Sequence, residues 1–166
     1  MPMAEAEFLQ FLDANDFAYR RIEHPAVFTC AEAELHRPKL PAVSTKNLFL
    51  CDKKKRHYFL AVTSCEKTVR LDDLKAQLGA SHLRFGSEAD LERLLGVGRG
   101  SVTMMGLVND TGHEVALWID DEIWGGELFL CHPLVNTATL VLSKAELERF
   151  FALTGHTPYF FSEKET

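Results

Sequence analysis

The chain has 166 residues, 46% of them apolar and 25% charged, which fits one soluble globular domain with a substantial core and excludes a disordered or fibrous chain. Its 18 lysines and arginines against 24 aspartates and glutamates give a net charge of −6, which argues against a nonspecific nucleic-acid coat and leaves room for a local basic patch. No apolar run approaches the roughly 18 to 20 residues that span a bilayer, and MPMAEAEF lacks the basic-then-apolar layout of a secretory leader, so a cytoplasmic protein with no membrane partner is expected.

In chain order, the first helix is expected over Ala4–Ala14, with Phe8, Phe11 and Leu12 on one face. FAYRRIEH follows as a strand that His24-Pro25 ends. Thr29 and Glu32 have the spacing of a capping box, so a short helix should begin there and stop before Pro38. Asn47–Cys51 and His57–Thr63 flank the polar turn Asp52–Arg56 as a hairpin. Asp72–Leu78 reads as a helix closed by Gly79, and Ser87 caps a helix through LERLL that Gly96 ends. MMGLV, EVALWI, ELFLCH and TATLVL read as short strands, after which Ser143 opens a last helix ending at Gly155. Helices at the ends, strands in the middle and hairpin connections imply a single α+β domain over residues 1–166, with a mostly antiparallel or mixed central sheet flanked by helices. Cys30, Cys51, Cys65 and Cys131 form no CxxC pair and no zinc-finger cluster, and are expected as buried reduced thiols.

Three places hold polar groups that such a fold does not itself require. Lys46 stands beside the apolar run Leu48-Phe49-Leu50, where a long cation either snorkels to water or meets an anionic partner. In GVGRGSVTMMG, residues 96–106, the glycines free the backbone, so the N–H groups of Ser101, Val102 and Thr103 could turn inward as an anion-binding nest; the plainer reading is a flexible helix-to-strand link. No lysine follows, so this is not a GxxxxGK[ST] phosphate loop, and it does not match GxGxxG. In CHPLVNTAT, residues 131–139, Pro133 stops the strand ladder after His132 and leaves Asn136 and Thr137 in a loop with donors to offer. His132 is either a ligand-facing group or a satisfied structural histidine. A Cys131/His132 nucleophile pair is unattractive, because adjacent strand residues point to opposite faces. The other histidines show no metal-ligand spacing, so no metal and no cofactor is expected. Asp120, Asp121 and Glu122 read as a solvated turn between strands.

Taken together, EHPAVFTCAEA, STKNLFLCDKKKRHYFLAV, GSVTMMGLVND and FLCHPLVNTATLVLS resemble, in order, the YbaK/ProX family of aminoacyl-tRNA editing domains, over about residues 20–145. Within it the chain looks most like the free-standing prolyl-tRNA editing proteins, which hydrolyse alanine wrongly attached to proline tRNA. The resemblance implies a strongly curved sheet and a metal-independent deacylase. It also implies the acceptor end of mischarged tRNA as partner, with prolyl-tRNA synthetase as a second and no DNA. The family lysine falls on Lys46, followed by Asn47; the GxxxP loop falls on Gly100, Ser101, Val102, Thr103 and Met104; the family histidine falls on His132. Lys46, the 100–104 loop and His132 are thereby the expected catalytic set, and Lys46, Asn47, Asn136 and Thr137 the expected substrate-binding set. Met104 departs from the family proline, which leaves open how the loop is stiffened. The alternative reading is a noncatalytic module that holds tRNA or a synthetase in the same cleft.

Overall fold

The computed structural model describes residues 2–162. Five α-helices, α1 (Glu5–Ala14), α2 (Cys30–Leu35), α3 (Leu71–Leu78), α4 (Glu88–Leu95) and α5 (Lys144–Thr154), surround a sheet of eight strands among these residues. The strands are β1 (Arg20–Glu23), β2 (Val43–Cys51), β3 (Tyr58–Ser64), β4 (Arg84–Phe85), β5 (Val115–Asp120), β6 (Leu128–Cys131), β7 (Ala138–Ser143) and β8 (Tyr159–Phe161). Their order is β1-β7-β6-β2-β3-β5-β8, with β4 added on β2. The sheet is mixed: β2–β6, β3–β5 and β5–β8 are parallel, and the remaining pairs are antiparallel. This is the α+β domain expected.

The long strand β2 changes partners. Val43 and Ser44 pair with Phe129 and Leu130 of β6, whereas Thr45 to Cys51 pair with Ser64 to Tyr58 of β3. The strand therefore belongs to two parts of the sheet, and the change falls just before Lys46 and Asn47. Thr45 carries the contact across the gap with its side chain, donating from Oγ1 to the Leu130 carbonyl at 2.6 Å.

Strand β3 is buried on both faces, which is why YFLAVTS shows no polar alternation. Tyr58, Leu60 and Val62 face a core shared with α1, α4 and α5, while Phe59 and Ala61 face a smaller core with Leu74 and Leu78 of α3. Each large apolar side chain so buried contributes roughly 1.5 to 3 kcal/mol. The helix signals act as read. Thr29, Ser87 and Ser143 accept from the amides of Glu32, Asp90 and Glu146. Gly96 closes α4 at φ 69°, a left-handed conformation that strains any residue with a Cβ.

Three expectations are corrected. MMGLV is not a strand, because Met104–Asn109 forms a 3-10 helix. Thr103 caps it, its Oγ1 accepting from the Met105 amide, and Asn109 Nδ2 donates to the Leu95 carbonyl at 3.0 Å. A Cβ on Gly106 would sit 2.9 Å from Leu95 Cβ, so the segment coils tightly against the end of α4. Second, Cys30 and Cys65 are not separate thiols but a disulfide, which joins the first residue of α2 to the residue after β3. Only Cys51 and Cys131 are free and buried. Third, Asp120 is fully buried at the end of β5, where a solvated turn was expected. Strand β8, which extends the sheet beside β5, carried no recognised signal.

Candidate active site

His132 follows β6 and is fixed from both sides. Its Nδ1 lies 3.0 Å from the Ala138 carbonyl, and its own carbonyl accepts from Thr103 Oγ1 at 2.8 Å. A carbonyl can only accept, so Nδ1 carries the proton and Nε2 is left as the basic nitrogen. Burial holds the imidazole below its ordinary 6.5; the Ala138 carbonyl opposes this and the His24 ring beside it adds to the lowering. His132 is therefore neutral at pH 7, with an oriented lone pair.

A histidine that carried no catalytic role in the sequence reading stands next to it, and a second stacks on the first. The His24 ring lies 6.3 Å from that of His132 and stacks on His36 at 5.8 Å. His24 Nδ1 is 2.8 Å from the Pro25 carbonyl and Nε2 is 2.8 Å from Thr139 Oγ1. The only signal for His24 was its place at the head of the EHPAVF segment.

The glycine loop lies against the same wall. A Cβ on Gly100 would come within 3.1 Å of Phe28 and 3.2 Å of Asn136 Nδ2, so this backbone faces the HPAVF and PLVNT segments at close range. Those segments are clamped together: the Val27 amide donates to the Asn136 carbonyl at 3.1 Å, and Asn136 Nδ2 donates to the Val27 carbonyl at 3.0 Å. Asn136 thus supports the wall with one of its amide hydrogens. Thr137 is exposed, and its carbonyl accepts from the His24 amide at 3.0 Å. The expected three-donor nest does not form as drawn, because the Ser101 amide is spent on the Gly98 carbonyl in a short 3-10 turn.

Met104 sits first in the next 3-10 helix with its side chain in the core, 1% exposed. That first position is one where proline is readily accommodated. Rigidity here comes from Thr103, fully buried, which donates to the His132 carbonyl and accepts from Met105. The loop and the histidine are joined through this one hydroxyl.

Two hollows adjoin these residues. A small one of about 40 Å³ is lined by Arg37, Ser44, Thr45, Cys65, His132 and Thr139. A cleft of about 630 Å³ runs past Asn47, Phe49, Lys55, Arg84, Arg99 and Val102. Asn47 Oδ1 is buried with no hydrogen-bond partner among the described residues, an acceptor that the fold itself leaves unsatisfied. Asn47 and Val102 thus meet in one cleft, while Gly100, Asn136 and His132 meet in the wall beside it.

Lys46 and His132 each lie two residues beyond the Ser44–Leu130 pair, where β2 parts from β6. Lys46 Nζ donates to the Lys67 carbonyl in the turn after β3. That turn is anchored by the buried Lys67 side chain, whose Nζ lies 2.7 Å from Asp120 and 2.6 Å from Glu122. Burial alone would lower the pKa of Lys67, but its hydrogen bonds and charge contacts with Asp120 and Glu122 prevail and raise it above the ordinary lysine value. Cys131 offers no nucleophile, since burial pushes its thiol up to about 12. Among the described residues, no group of three or more His, Cys, Asp or Glu is placed to hold a metal ion.

The family model for the aminoacyl-tRNA editing domain matches residues 24–150, from His24 through the glycine loop and His132 into α5. The chain belongs to that family. This editing domain is 40% identical over 158 residues to the prolyl-tRNA synthetase associated domain-containing protein 1 of Danio rerio, covering 94% of this chain and 85% of that protein. It is 34% identical over 146 residues to the prolyl-tRNA editing protein ProX of Acetoanaerobium sticklandii, covering 88% and 89%. Among solved structures, a candidate trans-editing enzyme for prolyl tRNA synthetase superposes with a TM-score of 0.71 at 19% identity, over 99% of this chain and 100% of that one. The protein APE2540 gives a TM-score of 0.71 at 18% identity, over 95% and 98%. At such identities the superpositions establish the shared fold. Among the described residues no helix is long and apolar enough to cross a membrane.

Proposed function

We propose that this editing domain is a cytoplasmic, metal-independent deacylase that acts in trans, hydrolysing the ester of alanine misattached to proline tRNA. The observation that carries the reading is His132: neutral, with Nδ1–H held by the Ala138 carbonyl, and tied through Thr103 to the glycine loop. Ester hydrolysis needs a proton acceptor, an oriented water and stabilisation of the tetrahedral oxyanion. His132 Nε2 accepts the proton of the attacking water and returns it to the departing ribose oxygen, assisted by the neighbouring ribose hydroxyl. Lys46 supplies positive charge to the terminal phosphate or the oxyanion, and the 100–104 backbone borders the reacting carbonyl. Asn47 Oδ1 accepts from a donor on the terminal nucleotide, which the larger cleft receives.

The amino acid side chain fits the smaller hollow. The hollow lies directly beside His132, and a proline ring demands more of its space than the methyl of alanine. Exclusion of the larger side chain by size is the stronger discrimination available to a small hollow, since recognising one missing methylene yields only about 1 to 3 kcal/mol. The tRNA acceptor end is the substrate partner, and prolyl-tRNA synthetase, whose error is corrected, is the natural second partner.

The test is deacylation of alanyl-tRNA(Pro) and of prolyl-tRNA(Pro) by the purified protein at catalytic concentration, with and without EDTA. Turnover of the alanyl ester alone, unchanged by EDTA, is expected. Retention of intact alanyl ester on the protein would instead identify a noncatalytic binding module, and activity lost to EDTA and restored by zinc would overturn the metal-independent mechanism.

A further inference from the structure

The buried ion pair at the end of β5 has no place in the chemistry above, yet every contact of its carboxylate is satisfied within the core. The Asp120 carboxylate is fully buried. Thr63 Oγ1 and Lys67 Nζ each donate to its Oδ2 at 2.7 Å, and the Glu122 amide donates to its Oδ1 at 3.1 Å. The Lys67 side chain is 8% exposed and reaches Glu122 Oε2 at 2.6 Å on its outer side. Withdrawing such a pair from water is expensive, and apolar residues of similar volume often give equal or better stability, so stability alone is a weak reason for its presence.

Its connections supply another reason. Thr63, which donates to Asp120, is the cross-strand partner of Lys46 in the β2–β3 ladder. Lys67, which grips Asp120 with its side chain, receives the Lys46 ammonium on its carbonyl. Its amide closes the turn on the Ser64 carbonyl at 3.1 Å. One residue therefore fixes its backbone by burying its side chain, and the fixed carbonyl is where the Lys46 ammonium rests. A lysine has four side-chain torsions and points in one direction only when something holds its head.

We propose that Lys67 and Asp120 are positioning residues for Lys46: the buried pair holds the 64–67 turn so that the Lys67 carbonyl fixes the Lys46 ammonium in the direction from which it meets the substrate. The inference rests on the reading of Lys46 as a substrate-facing cation, and it extends the functional set to two residues on β5 and the β3–α3 connection. Neither touches substrate.

Two measurements test it in the full-length protein. The first does not depend on activity: competitive acetylation with acetic anhydride, read by mass spectrometry, reports how readily the Lys46 amine reacts. In Lys67→Met and in Asp120→Asn, which keeps the shape of the carboxylate, Lys46 acetylation is expected to rise several-fold while that of the exposed Lys53 and Lys54 stays constant. Unchanged Lys46 labelling in a folded variant overturns the inference. The second is single-turnover deacylation in a double-mutant cycle with Lys46→Ala. A loss of roughly 10- to 100-fold is expected for Lys67→Met, in the range for a misplaced reacting group, and no further loss when Lys46 is already alanine. Losses that multiply would make the pair merely structural. Lys67→Arg, which retains both carboxylate contacts, should recover most of the rate. If Lys67→Met does not fold, Asp120→Asn carries both measurements. If the parent protein does not deacylate, the functional reading fails and the labelling arm still decides the positioning claim.

Discussion

The two ends of the site follow opposite electrostatic plans. At the β2 end an ammonium rests on a carbonyl beside a buried ion pair, so charge is concentrated and held. At the β6 end His132 is half-buried and neutral, with Nδ1 on the Ala138 carbonyl, its own carbonyl on Thr103 Oγ1 and its ring beside that of His24. The cation that shares a hollow with the histidine, Arg37, is held by the Leu40 and Ala42 carbonyls, whereas a neutral group at the lysine end would offer nothing to a phosphate or oxyanion. Between Lys46 and His132, β2 changes partners from β6 to β3, which sets the two side chains apart.

The sharpest way to break this comparison is at the charged end. Lys46→Ala should reduce single-turnover deacylation by roughly 10²- to 10³-fold, the scale for losing a donor to a developing oxyanion, with the fold retained in thermal unfolding. A folded variant at the parent rate would leave the lysine a snorkelling surface residue.

At the neutral end, His132→Gln should lower turnover by about 10²-fold, the low end for a positioned general base. The pH profile supplies the sign. The folded-state pKa lies below 6.5, so the midpoint of protonation and of the loss of activity should fall below that pH, and most of the rate should hold at neutrality. The parent acid limb should vanish in the glutamine variant. A limb centred above 6.5 would contradict the buried, neutral imidazole.

Smaller effects belong to the wall between the two ends. Gly100→Ala places a Cβ at 3.1 Å from Phe28 and 3.2 Å from Asn136. Phe28, 71% exposed, can yield, whereas Asn136 is clamped to Val27, so the loop itself should shift. A roughly tenfold loss of rate, equivalent to about 1.4 kcal/mol, is expected with little change in melting temperature. Smallest of all is Met104→Pro, which restores the residue the family pattern carries. Because Thr103 already stiffens this turn, rates within about twofold of parent are expected, while stability should fall by roughly 2 to 5 kcal/mol, the scale for removing most of a fully buried methionine side chain.

Local signals were read correctly where the cause was local. Ser87 and Ser143 cap the helices their sequences announce, and the β2–β3 hairpin pairs Asn47 with Val62 around the turn that Asp52–Arg56 suggested. MMGLV misled because a continuously buried run has no period to distinguish strand from helix, and the deciding contacts come from Leu95 and Thr103. The burial of Asp120 depends on Lys67, 53 residues away, and no spacing rule reaches that far. His24 and His36 escaped for the same reason, since their value lies in stacking beside His132. The residues proposed for the site were picked out through ordered motifs, whereas their placement on β2, the glycine loop and the end of β6 required the fold.

The bridge between Cys30 and Cys65 has a mechanical consequence. No residue of α2 is buried, so this helix lacks the apolar mooring that holds the other four, and one of its ends is secured by a covalent bond instead. Helix α2 carries Ala33 onto the small hollow beside His132. The bridge spans a sequence separation of 35, and closing a loop of that size removes freedom from the unfolded chain equivalent to roughly 3 to 5 kcal/mol. The same bond that steadies the folded state thus tethers one wall of the smaller hollow to the β3 end of the sheet.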